Sequence, residues 1–159
     1  MPVFISYRRD ERLDAFILNE RLLLEGIPTQ LVPFDDEGQT LDDLHGCFCQ
    51  HMADATHWIG VLYEAHGEDW WTAWLLGAAA MAHRRVTFYH AGSTDLPQRL
   101  GKWPVMRERE HIDLFVRAYH DEQTFGRAMA SQAGRSLVSD RDNADFFHAD
   151  LKAKIRRGF

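Results

Sequence analysis

Apolar and polar positions along the chain switch repeatedly between the period of a strand and the period of a helix. Val3 to Tyr7 is a short β-prone run centred on Phe4 and Ile5, which predicts a first strand. Asp10, Glu11 and Arg12 open a helix with acids at its positive end. Leu13, Phe16, Ile17, Leu23 and Leu24 continue it at helical spacing, with Glu20 the one polar break, and Gly26 sits where a terminating glycine belongs. Ile27 to Val32 predicts a second strand, with Pro28 best accommodated at its beginning. Thr40 is positioned to cap a helix through Leu41, Leu44, Phe48 and Met52, with Asp43 completing a capping-box variant.

Thr56 to Tyr63 is the most strand-like segment, and its near-continuous apolar run fits a central strand covered on both faces. Glu68 to His83 predicts a helix, Val86 to Tyr89 a fourth strand, and Val105-Met106 a short fifth. Beyond Arg107, Ile112 to Tyr119 has helical spacing but β-prone composition and is read as a helix. Thr124 to Ala133 predicts another helix. Ser139 to Arg157 predicts the last, with Asp140, Asp142 and Asp145 early and Lys152, Lys154, Arg156 and Arg157 late, as the helix dipole favours.

Strands alternating with helices at these spacings predict an α/β fold: a parallel sheet of about five strands, right-handed crossovers, and helices on both faces. A length of 159 residues fits one domain and is enough to bury a core without disulfides or a structural metal. The formal charge of −6, with basic residues scattered, argues against nucleic acid as a partner. No apolar run approaches the ~20 residues that span a bilayer. The chain opens directly into a strand-like segment without a basic, signal-peptide-like leader, and its two cysteines, Cys47 and Cys49, fall on different faces of one helix. A reducing cytoplasm is the expected setting. Nine histidines show no metal-ligand spacing, and neither a Gly-x-Ser-x-Gly elbow nor a Walker motif occurs. No metal is expected.

In an open α/β sheet, ligands bind outside the carboxyl ends of the strands. Ser6, Tyr7, Arg8 and Arg9 fall at such an end, as do Tyr63 and Glu64. Either arginine could hold a pyrophosphate through charge-assisted bidentate hydrogen bonds, or be a solvated or locally paired charge. Trp71 and Trp74, three residues apart, share a helix face and could stack on a nucleotide ring or pack against the third strand.

Four features arrive in an order that resembles Toll/interleukin-1 receptor (TIR) domains of bacterial type. They are the strand Phe4-Ile5-Ser6-Tyr7 running into Arg8-Arg9-Asp10; the acidic loop Pro33-Phe34-Asp35-Asp36-Glu37; the strand Trp58 to Tyr63 followed by the tryptophan-rich helix and Gly77-Ala78-Ala79-Ala80; and the segments Leu96-Pro97 and Lys102-Trp103-Pro104. The resemblance covers about residues 3–107, leaving 108–159 as a helical extension within a single domain spanning 1–159. It implies a flavodoxin-like TIR fold, with the loop after strand two mediating assembly and gating a nucleotide pocket. NAD or a related nucleotide is the implied ligand or substrate, with no cofactor required; Ser6, Tyr7, Arg8, Arg9, Phe34, Trp71, Trp74 and Leu75 are the implied binding positions. The implied partners are other TIR-like chains, including a second copy of this one, or a downstream effector, in signalling or anti-phage defence.

Enzymatic TIR domains carry a glutamate in the motif Trp-x-x-Trp-Glu-x-Gly. Here the run is Trp71-Thr72-Ala73-Trp74-Leu75-Leu76-Gly77, so Leu75 occupies the glutamate's place. Cleaving the bond to nicotinamide builds positive charge on the ribose, which a carboxylate stabilises and a leucine cannot. The same objection meets the related nucleoside deoxyribosyltransferases. The nearest substitutes are Glu68, two helical turns and about 10 Å before Leu75, and Glu64. The resemblance thus implies binding or assembly without turnover, with an active NAD glycohydrolase or cyclase that uses another carboxylate as the alternative.

Overall fold

A computed structural model describes residues 2–34, 41–62, 70–92, 94–133 and 139–158. Five parallel strands form one sheet in the order β2-β1-β3-β4-β5: β1 (Val3–Arg8), β2 (Thr29–Phe34), β3 (His57–Val61), β4 (Arg85–Tyr89) and β5 (Val105–Met106). The helices are α1 (Arg12–Leu24), α2 (Leu41–Asp54), α3 (Trp70–Met81), α4 (His111–Ala133) and α5 (Asp140–Arg157). This is the expected α/β architecture with a flavodoxin-like strand order.

Strand alternation divides the core in two. On one face Val3, Ile5, Tyr7, Ile59, Val61 and Tyr89 pack beneath α1, α4 and α5; on the other, Phe4, Trp58, Val86 and Phe88 pack beneath α2 and α3. Every residue of β3 and β4 is buried, as central parallel strands require. Gly60 is needed where it sits: an added Cβ would lie 3.0 Å from the Trp58 ring and 3.2 Å from that of Phe88.

Several boundaries differ from the sequence pattern for identifiable reasons. Strand two begins at Thr29 and runs through Pro33 to Phe34. It is an edge strand, paired only with β1, so a proline without an N–H is tolerated on its free side. A 3-10 turn, Arg9–Glu11, separates β1 from α1. α3 closes with His83 in the left-handed region at φ 53°, its successor's amide donating to the Ala79 carbonyl. The two helices expected after residue 111 are one continuous α4, since Asp121-Glu122-Gln123 contains no breaker and Glu122 faces inward. α5 is capped as expected, the Ser139 hydroxyl accepting from the Asp142 amide. Far from being an appendage, α5 lies on β4 and contributes the buried Phe147 and Leu151 to the core. Thr40, the acidic loop 35–37, Tyr63, Glu64, Glu68 and Asp69 lie outside the described residues. Among the described residues no helix is long and apolar enough to cross a membrane.

Candidate functional site

The strand order reverses between β1 and β3, so their carboxyl ends flank the position where a doubly wound sheet opens a crevice. β1 delivers Ser6, Tyr7 and Arg8 there and hands over to Arg9; β3 ends at Val61, followed by Leu62. The parallel register sets Ser6 beside Gly60. Arg9 is exposed and Arg8 half-buried. Tyr7 packs beneath α1 with its ring 6.1 Å from Phe16, and burial pushes its phenol above the usual range, opposed by the nearby Arg9 charge. It is therefore a neutral hydrogen-bonding group at physiological pH.

The same edge continues across β4. The imidazole of His90 lies between two backbone carbonyls, with Nδ1 3.4 Å from Leu62 O and Nε2 3.1 Å from Thr94 O, and a single ring N–H can donate to only one of them. Arg107 donates to that Thr94 carbonyl at 3.3 Å. Tyr89, raised by burial and then by the Asp14 charge, meets Arg109 in a hydrogen bond. Arginines thus stand along the carboxyl edge, while Tyr7 and Tyr89 are buried in the core.

The other predicted binding positions serve the core. Ser6 Oγ accepts a 2.9 Å hydrogen bond from the Trp58 indole, both residues being buried. Phe34, Phe48 and Trp71 form an edge-on aromatic stack, with centroids 6.1 Å and 5.3 Å apart. Trp74, half-buried, meets Trp71 edge-on at 6.0 Å and packs against His45 at 5.3 Å. Trp71 and Trp74 therefore share a face, and it is the face turned toward α2. Leu75 is 0% exposed, enclosed with Ala79 and Phe48 on the α2/α3 side of the sheet. Trp70, by contrast, is 75% exposed.

A second constellation lies at the opposite, amino edge. His57 opens β3 and Arg85 opens β4, and the register makes them neighbours. Glu122 of α4 reaches both, at 3.0 Å from His57 Nε2 and 2.6 Å from Arg85 Nε. Thr56 Oγ1 lies 2.8 Å from His57 Nδ1, and Phe115, Tyr119 and Phe147 wall the imidazole. Burial drives the His57 pKa down despite the carboxylate, while the bonds from His57 and the Arg85 charge outweigh burial and lower that of Glu122. Beside this cluster, the Val86 amide donates to His148 Nε2 at 2.8 Å, and burial lowers the His148 pKa to about 4. Sequence reasoning missed this cluster. Its trace was an acid, Glu122, falling in step with the apolar stripe Ile112, Phe115, Val116 and Tyr119.

The amino-edge groups are saturated by one another and sealed from solvent, which suits a brace between α4 and the sheet better than a reaction centre. Among the described residues no cluster of three or more His, Cys, Asp or Glu could hold a metal ion. Cys47 and Cys49 are free thiols, and burial raises the pKa of Cys47. No protein-family model, curated protein or solved structure matches this chain.

Proposed function

We propose that this chain is a TIR-like domain of signalling or defence, working in the cytoplasm through assembly with other chains and binding of NAD or a related nucleotide without turning it over. The observation that carries this reading is Leu75: the position where the family resemblance calls for a catalytic glutamate holds a fully enclosed leucine. A carboxylate there would be a charge enclosed among apolar side chains, a costly placement, and leucine fits that packing as a core residue. The strand order and the arginines at the carboxyl edge support the binding half, since a pyrophosphate approaching the β1–β3 reversal would meet Arg9 and Arg8.

The test is incubation of the purified chain with NAD, following free nicotinamide by NMR, with binding measured in parallel by calorimetry. The expected result is saturable binding with no nicotinamide above the blank. Nicotinamide release that disappears in Glu68→Ala or Glu64→Ala overturns the reading in favour of an NAD-cleaving enzyme with a relocated carboxylate. A Leu75→Glu variant does not serve as a rescue, because burying that charge destabilises the core before any activity can be read.

A further inference from the structure

We propose that Trp70 is the stacking platform of the nucleotide site: the flat base of the ligand lies on its indole while the phosphates lie at Arg8 and Arg9. This rests on the nucleotide-binding reading and adds to it the side chain that holds the base.

The position follows from the topology. The chain leaves β1 for α1 on one face of the sheet and leaves β3 for α3 on the other. Ala15, Leu18 and Leu22 of α1 belong to the same core layer as Ile5 and Tyr7, whereas Trp71, Leu75 and Ala79 of α3 belong with Phe4 and Trp58. The crevice at the β1–β3 reversal is therefore flanked by the beginnings of these two helices. Arg9 belongs to the turn that leads into α1, and Trp70 is the first residue of α3.

Packing ties the start of α3 to the end of β1. Strand alternation puts Arg8 on the α2/α3 side of the sheet, since Tyr7 before it belongs to the opposite layer. The register partner of Arg8 on β2 is Phe34. The Phe34 ring meets Phe48 at 6.1 Å, and Phe48 meets Trp71 at 5.3 Å. The first turn of α3 is thus anchored two ring contacts from the strand end that lies beside Arg8. Successive helical residues are about 100° apart, so the turn that drives Trp71 into this stack swings Trp70 out of it. Trp71 is 8% exposed and Trp70 75%.

A singly exposed apolar side chain is ordinary; the place of this one gives it a use. A nucleotide runs from its phosphates through a ribose to a flat base, and the α3 flank of the crevice meets that base with a large, uncharged π-face. Trp71 and Trp74 cannot take this part, because they meet each other edge-on at 6.0 Å and turn toward α2. Stacking on an indole tolerates any base, so either ring of NAD satisfies the platform.

The experiment is calorimetry of the full chain with NAD and, as a ring-free control, inorganic pyrophosphate, comparing wild type with Trp70→Ala, Trp70→Phe and Arg9→Ala. Trp70→Ala should weaken NAD about 5- to 150-fold, the worth of one stacked base, and leave pyrophosphate within about twofold. Trp70→Phe should keep most of the NAD affinity, because it keeps a stacking face. The side chain is exposed, so the urea midpoint should not move in either variant. ADP-ribose and nicotinamide mononucleotide each carry one of the two rings, and the one that Trp70→Ala weakens names the ring on the indole. NAD bound equally by wild type and Trp70→Ala, or NAD and pyrophosphate weakened alike, overturns the proposal. NAD binding that falls in Arg9→Ala and holds in Trp70→Ala removes Trp70 while the nucleotide reading stands. A wild type that binds no NAD overturns both.

Discussion

The two ends of the sheet deploy polar groups in opposite ways. At the amino edge, His57, Arg85 and Glu122 are sealed and consume one another's hydrogen-bonding capacity. At the carboxyl edge, Arg9 is exposed, Arg107 donates to the Thr94 carbonyl, and the buried His90 ring lies between the Leu62 and Thr94 carbonyls. A buried, closed network has nothing left to offer a ligand, whereas the Arg9 and Arg107 side chains stand at an exposed edge. The most conspicuous cluster of titratable groups in this fold is a brace within the core.

The comparison breaks most sharply at Glu122. Removing it by Glu122→Ala leaves the Arg85 guanidinium buried without its counter-charge, a loss of about 3–5 kcal/mol. Against a typical total of about 5–15 kcal/mol, this brings the protein close to unfolding, read as a large fall in the urea midpoint. Replacing both ends of the pair, with Arg85→Met and Glu122→Leu, should recover most of that stability, because well-packed apolar substitutes for a buried pair are often neutral. If the single variant is as stable as wild type, the amino edge is not a brace.

Acid should separate the two ends next. His148 has its pKa lowered from 6.5 to about 4, chiefly by burial, so the unfolded chain binds its proton first. The stability this group contributes is whole above pH 6.5 and drains as pH falls toward about 4, amounting to about 3 kcal/mol. The geometry agrees in sign, since a protonated Nε2 could no longer accept from the Val86 amide. His57 is lowered and loses stability in the same direction below 6.5, and the lowered Glu122 adds its loss below 4.5. Thermal melts from pH 7.5 to 4 should fall steeply, and His148→Gln should flatten the fall. A pH-independent melting temperature over that range would count against the neutral, buried histidines.

The fold was largely legible because its signals are local and repeated. The apolar runs of β1, β3 and β4, the Gly26 helix end and the Ser139 cap each declare themselves within a few residues. What stayed hidden depends on register. Nothing within residues 57, 85 or 122 says that parallel pairing makes His57 and Arg85 neighbours, or that one glutamate on α4 can reach both. Helical spacing placed Trp71 and Trp74 on one face but left open whether that face turns toward a ligand or toward Phe48; packing decided it. The same limit applied to α1: its helical spacing was read from Leu13, Phe16, Ile17, Leu23 and Leu24, whereas the residues buried against the sheet are Ala15, Leu18 and Leu22.

The smallest effect on stability should come from the carboxyl edge, and it sharpens the comparison because function and stability then part company. Arg9→Ala removes an exposed guanidinium at the end of β1, and surface changes of this kind usually stay within about 0.5 kcal/mol. If Arg9 holds a pyrophosphate, its charge-assisted hydrogen bonds are worth about 1.5–3 kcal/mol, so NAD affinity should drop roughly ten- to a hundredfold while the urea midpoint barely moves. Arg9→Lys should recover only part of the affinity, because an ammonium keeps the charge but not the planar bidentate fork. An unchanged affinity in Arg9→Ala would remove Arg9 from the nucleotide site, and the binding reading would then rest on Arg8 alone.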